Sequence, residues 1–165
     1  MNTPVFIDFE ASSLDLVSSY PIEVGICCED GSTRSWLVKP HVIWQDWSAQ
    51  AQKIHGISQE ELCRDGLPLS QVTEELNALL NNQTVYCDAW TFDSFWLHRL
   101  FKGARCKPTF HLESVSVLLN SQQIQRWQTT RTNVIKEMNI ETHRAANDAK
   151  ILHETWKRLR TLGTS

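Results

Sequence analysis

The stretch Pro4-Val5-Phe6-Ile7-Asp8-Phe9-Glu10-Ala11-Ser12-Ser13-Leu14 decides how the rest of the chain is read. Apolar and β-branched residues fill it from Val5 to Phe9 directly after a proline, which predicts a β-strand. Side chains alternate across a strand, so Val5, Ile7 and Phe9 share one face while Phe6, Asp8 and Glu10 share the other. Two carboxylates on one face of an apolar strand repel each other and lose hydration. Unpartnered, they cost several kcal/mol per ion. A divalent cation removes that cost and takes oxygen ligands of this kind. An edge strand whose acidic face is simply wet is the other reading of these residues.

Downstream, residues 12–19 form a polar connection and residues 20–28 a second strand, Tyr20-Pro21-Ile22-Glu23-Val24-Gly25-Ile26-Cys27-Cys28. Glu29-Asp30-Gly31-Ser32 then holds the Asp-Gly pair favoured in hairpins, and residues 33–38 return as a third strand. Ser48 caps a short helix running toward Ile54, and Ser58-Gln59-Glu60-Glu61 has the spacing of a capping box. Leu69, Val72, Leu76, Leu79 and Leu80 recur at helical spacing over 69–80, and residues 84–87 form a short strand. A helix over 91–101 carries Phe92, Phe95, Trp96, Leu97 and Leu100, with Gly103 placed to end it. Residues 109–112 read as the last strand, 121–138 as a polar helix, and 145–160 as a helix with Ala149, Leu152, Trp156 and Leu159 on one side. This order predicts an α/β fold. Its mixed five-stranded sheet has three antiparallel strands and then parallel ones, flanked by helices, in a single domain spanning residues 1–165.

A chain of 165 residues, 41% hydrophobic and 21% charged, suits one globular core. No apolar run reaches the length of a membrane span, and the N-terminus lacks the basic and apolar regions of a signal peptide. The five cysteines have no CxxC spacing, which argues against a disulfide framework or a zinc site and suits a reducing cytosol. The expectation is a cytoplasmic protein with no membrane partner. The net charge of −3 hides an asymmetry. Residues 1–83 carry 4 Lys/Arg against 12 Asp/Glu, whereas residues 84–165 carry 12 against 7. One part suits cations and another phosphates, unless the imbalance is only chance on a solvated surface.

Two further acids stand beside apolar surface. Asp93 lies at the start of its helix, where it either answers the helix dipole or is drawn into a site. Asp148 lies four residues before Leu152 and points toward the packed face, with His143 in the turn entering that helix. A lone histidine there is an ordinary surface or capping residue. Together, Asp8, Glu10, Asp93, Asp148 and one histidine have the composition of a two-metal site for cutting phosphodiesters, its ions roughly 3.5–4 Å apart. A histidine of unperturbed pKa about 6.5 can take a proton from water near neutral pH.

The ordered set of motifs resembles the DEDDh branch of the DnaQ-like 3′–5′ exonuclease superfamily, which has a ribonuclease H-like fold. Phe6-Ile7-Asp8-Phe9-Glu10 with Ala11-Ser12-Ser13-Leu14 is similar to its first motif, Asp-x-Glu-Thr-Thr-Gly-Leu, with Ser12-Ser13 replacing Thr-Thr-Gly. Phe92-Asp93-Ser94-Phe95-Trp96-Leu97 is similar to the second, and His143-Arg144-Ala145-Ala146-Asn147-Asp148-Ala149 matches the third, His-x-Ala-x-x-Asp-Ala. Ile54-His55-Gly56-Ile57 and Ile22-Glu23-Val24-Gly25 resemble two intervening elements. Where the family commonly has His-Asn-Ala before the second motif, this chain has Tyr86-Cys87-Asp88-Ala89-Trp90, which makes Asp88 a rival to Asp93.

The resemblance implies an exonuclease using two Mg²⁺ or Mn²⁺ ions, held by Asp8, Glu10, Asp93 and Asp148, with His143 as general base. It implies that Ala11, Ser12, Leu14, His55 and Phe92 receive the 3′-terminal nucleotide of a nucleic acid, DNA or RNA, with single strands preferred. Trp90 is expected to be exposed as a stacking surface, with Arg99, Lys102, Arg105 and Lys107 following the backbone. The rival reading is a non-catalytic nucleic-acid-binding module on the same fold. A third class is a structural interaction domain.

Overall fold

The computed structural model describes residues 2–164. The acidic stretch forms β1 (Val5–Ala11) at the centre of a five-stranded sheet of order β3-β2-β1-β4-β5. The other strands are β2 (Pro21–Cys27), β3 (Thr33–Leu37), β4 (Thr84–Cys87) and β5 (His111–Ser114). β1, β2 and β3 pair antiparallel, while β4 and β5 run parallel to β1, as the order of elements predicts. The helices are α1 (Ala49–His55), α2 (Gln59–Asp65), α3 (Leu69–Leu80), α4 (Trp90–Gly103), α5 (Ser121–Met138) and α6 (Ala145–Arg160).

The alternation along β1 divides the core. Val5, Ile7 and Phe9 enter the larger hydrophobic cluster with residues of α3 and α4, including Leu76, Leu97 and Leu100. Phe6 enters a smaller cluster with Val115, Leu152 and Trp156. Asp8 and Glu10 therefore lie on the sheet face that α6 covers. Gly25 stands opposite Asp8 in the β1–β2 register. A Cβ there would fall inside the backbone of Ala145 and Ala146, so only glycine lets the first turn of α6 rest on the strand.

Capping follows the sequence closely. Ser48 accepts from the Ala51 N–H, Ser58 from the Glu61 N–H, and Asn120 with Gln123 forms a full capping box at α5. The Asp30-Gly31 hairpin is looser than a two-residue turn. Gly31 takes φ 87°, and the Cys28 N–H donates to the Ser32 carbonyl at 2.8 Å.

Two expectations shift. β5 begins at His111 rather than Thr109, because Asn77 at the end of α3 holds Thr109 in the preceding loop. Gly103 is the last residue of α4, yet the left-handed residue that follows is Arg105, at φ 58°. A Cβ at Gly103 would meet Leu69 and Trp44 at 3.0 Å, so this glycine serves close packing. All five cysteines are free. Among the described residues, no helix is long and apolar enough to cross a membrane.

Gly25→Ala should destabilise the protein by about 1–3 kcal/mol, because backbone rather than a side-chain end must move. Gly56→Ala meets nothing within 4 Å and strains only a φ of 73°, a cost of about 1–2 kcal/mol. Urea melts should rank Gly25→Ala as the worse. Wild-type stability in that variant would mean that α6 does not rest on β2.

Candidate active site

Two acids come from β1 and one from the first turn of each of two helices, Asp93 on α4 and Asp148 on α6. Beside Glu10 the β1–β2 register skips Ile22, and such a bulge re-aims the end of a strand. One oxygen each from Asp8, Glu10 and Asp148 lies within 4.8 Å of the others. Asp93 stands outside this trio, is 1% exposed, and exerts the strongest charge effect on Asp8. Asp88 is exposed and does not figure among the charges acting on Asp8. Its charge acts on Asp93, and the charge of Arg131 acts on Asp88 in turn. Of the two rivals, Asp93 is the one adjoining the cluster.

Burial dominates the electrostatics. It pushes Asp8 well above the usual carboxylate range, and the charges of Asp93, Asp148 and Glu10 add to the shift. Burial, then the hydrogen bond and charge of Asp148, push Glu10 up to about 9. Burial pushes Asp93 up to about 8. Asp8 Oδ2 and Asp93 Oδ2 are buried without a hydrogen-bond partner among the described residues. Buried polar atoms are rarely left so, and hard oxygen donors without imidazole or thiolate in the trio suit Mg²⁺ or Mn²⁺. The residues present therefore fit a divalent cation.

Sequence alone places Glu23 only in its strand, yet this residue positions the site. It is 2% exposed and lies opposite Glu10 across β1–β2. Its carboxylate accepts from Arg144 Nε at 3.1 Å, Arg144 Nη2 at 2.7 Å and the Ala145 N–H at 2.8 Å. Arg144 gives α6 no side-chain cap of its own, so a glutamate from another strand satisfies that helix start. The neighbouring His143 takes φ 66° and donates its N–H to Asp148 Oδ1 at 3.1 Å. The turn carrying His143 is thus pinned on both sides. A lone glutamate in the otherwise apolar run Pro21-Ile22-Glu23-Val24-Gly25-Ile26-Cys27 is the signal the sequence offers.

A cavity of about 200 Å³ opens beside the carboxylates. Glu10, Ala11, Leu14, His55, Trp96 and His143 line it, so three of the five expected substrate residues and the expected base come together. His55 Nδ1 accepts from the Ile57 N–H at 3.0 Å. The neutral ring therefore carries its proton on Nε2, which is buried and unpartnered among the described residues. Burial also holds the His55 pKa below its ordinary value.

Ser12 and Phe92 are not brought into this cavity. The Ser12 hydroxyl turns inward, donating to Asp46 at 2.7 Å and accepting from the Tyr20 N–H at 3.0 Å. Asp46 also accepts from Ser13 and Ser18, which makes it the organiser of the loop. Phe92 packs on Trp96 with ring centroids 5.6 Å apart, and Trp96 faces the cavity instead.

The sheet order and the acid cluster define a protein of the ribonuclease H-like class. The family model described as Exonuclease (RNase_T) matches residues 5–155, and the chain belongs to that family, within the DEDDh, DnaQ-like 3′–5′ exonucleases. Among solved structures, the zinc-bound Escherichia coli exonuclease I–ssDNA complex superposes with a TM-score of 0.70 at 12% identity, over 96% of this chain and 40% of that one. The same enzyme with a 5cy-dT13 oligonucleotide gives 0.73 at 14% identity, over 95% and 40%. Exonuclease I from Methylocaldum szegediense gives 0.65 at 12% identity, over 96% and 42%. At these identities the likeness is one of fold, and the chain spans about two-fifths of those proteins. No curated protein sequence matches the chain.

The raised carboxyl pKa values make stability depend on pH. The folded chain holds protons on Glu10 and Asp93 up to about 9 and 8, whereas an unfolded chain releases them near 4. Between those limits the native state binds more protons, so stability falls as pH rises. Without divalent cations, Tm should drop from about pH 6 to about pH 9. Mg²⁺ or Mn²⁺ should raise Tm, and by more at pH 9 than at pH 6. A gain equal at both pH values, or none, would contradict the metal fit.

Proposed function

We propose that the chain is a single exonuclease domain that removes nucleotides from the 3′ end of single-stranded nucleic acid, using two Mg²⁺ or Mn²⁺ ions. The observation that carries this reading is the convergence of Asp8, Glu10 and Asp148 oxygens, with Glu10 and His143 both lining the adjoining cavity. Asp8, Glu10 and Asp148 would hold the ions, with Asp93 completing the shell. Bound there, divalent cations neutralise the phosphate and acidify water. A module that only bound nucleic acid would gain nothing from converging carboxylates, which repel phosphates.

His143 is the general base. Exposed at the cavity mouth, it takes a proton from the attacking water, whose oxygen bonds to the last phosphorus. The P–O3′ bond breaks, O3′ gains a proton from solvent, and a nucleoside 5′-monophosphate leaves. Leu14, 71% exposed, and Trp96 hold the terminal nucleotide, while His55 offers its Nε2–H to a nucleotide oxygen. A cavity of about 200 Å³ takes one unpaired nucleotide. Extracting a paired one costs a few kcal/mol more. That the E. coli exonuclease I structures hold single-stranded DNA oligonucleotides supports the same preference.

Strands labelled at the 5′ end should shorten one nucleotide at a time in Mg²⁺ or Mn²⁺, and not at all in EDTA. Asp148→Asn should abolish nearly all cutting. His143→Ala should cost on the order of 10²–10⁴ in rate while cation binding persists. Internal fragments, or cutting in EDTA, would refute the proposal.

A further inference from the structure

A second groove, about 620 Å³, lies on the outer flank of α4. Trp90, Ser94, His98 and Lys102 form a row along the helix at i, i+4 spacing, with Lys107 on the facing loop and apolar groups such as Leu97 behind. No carboxylate lines it. Lys102 and Lys107 are exposed and make no ion pair among the described residues. His111 is also present but faces Glu113 at 2.8 Å. Trp90 is 48% exposed, and its Nε1 donates to the Leu112 carbonyl at 3.4 Å, which holds the ring against β5. The loop is fixed too, since Asn77 Nδ2 donates to the Lys107 carbonyl at 2.9 Å.

The position of the groove gives it direction. An α-helix turns about 100° per residue, which sets Asp93 about 60° from Trp96 on one side and about 60° from Trp90 on the other. Trp96 lines the nucleotide cavity and Trp90 opens the groove, so the two flank Asp93 around the helix. A strand whose 3′ end occupies the cavity passes Asp93 and next meets Trp90. From Trp90 to Lys102 the helix rises about 18 Å, the span of about five bases stacked at 3.4 Å.

We infer that this groove is the track for the nucleotides upstream of the scissile bond. Bases stack on Trp90 and the apolar floor, and phosphates lie against Lys102 and Lys107. The assignment of direction rests on the exonuclease reading, whereas strand binding in the groove does not.

The test compares wild type with Lys102→Glu/Lys107→Glu, using labelled single strands of three and twelve nucleotides. Anisotropy in EDTA reads binding, and hydrolysis of the trinucleotide in Mn²⁺ reads the chemistry. The double variant should bind the twelve-mer at least about tenfold more weakly, with a log–log salt slope smaller by about 1.4, two phosphate contacts at about 0.7 each. Its hydrolysis of the trinucleotide should match wild type. Trp90→Ala should weaken twelve-mer binding without changing the salt slope. Unchanged twelve-mer binding in the double variant, equal wild-type affinity for both lengths, or a matching loss on the trinucleotide would overturn the track. If wild type cuts nothing but still binds long strands through the two lysines, strand binding in the groove stands and the exonuclease proposal falls, taking the direction of the track with it.

Discussion

Glu23, buried beneath the first turn of α6, receives three hydrogen bonds from Arg144 and Ala145, and the geometry of the site depends on them. Asp148 reaches Asp8 and Glu10 only because that helix start lies directly on the sheet. Gly25 removes the side chain that would hold the helix off, and Glu23 supplies the attachment. A buried carboxylate paired with a partly exposed guanidinium adds little net stability. What the pair fixes is position. The same contact holds the turn in which His143 adopts a left-handed backbone and donates to Asp148.

That placement sets the carboxylates against one another. Burial and mutual repulsion raise the pKa values of Asp8, Glu10 and Asp93, so at neutral pH the cluster by itself resists ionisation. Local rules of burial are broken where the end of the central strand β1 meets the first turn of α6. A divalent cation would reconcile the two demands by binding the ionised form. The cavity beside Glu10 and the lysine-bearing groove lie to either side of Asp93, and α4 lines both.

The parts of this arrangement that were legible in the sequence are those encoded locally. The alternation along β1 separated Val5, Ile7 and Phe9 from Phe6, Asp8 and Glu10, and the two sets do enter different regions. Ser48, Ser58 and the 69–80 periodicity marked real helices. The features that escaped depend on distant partners. Ser12 turns away from the cavity because Asp46, 34 residues on, takes its hydroxyl. Glu23 and Arg144 are 121 residues apart, and neither residue alone signals the other. The late start of β5 comes from Asn77, and the choice of Trp96 over Phe92 comes from ring packing. Asp93 could be preferred to Asp88 on its motif alone, and its burial supports that choice.

The central claim is that these half-buried carboxylates form a cation site that ionises on binding. Calorimetric titration of the purified protein with Mn²⁺ at pH 8, in two buffers of different protonation enthalpy, tests it directly. Uptake of two ions per chain is expected, with proton release that appears as a buffer-dependent heat. Asp148→Asn should lose at least one ion. Absence of saturable uptake, or identical uptake by Asp148→Asn, would contradict the account.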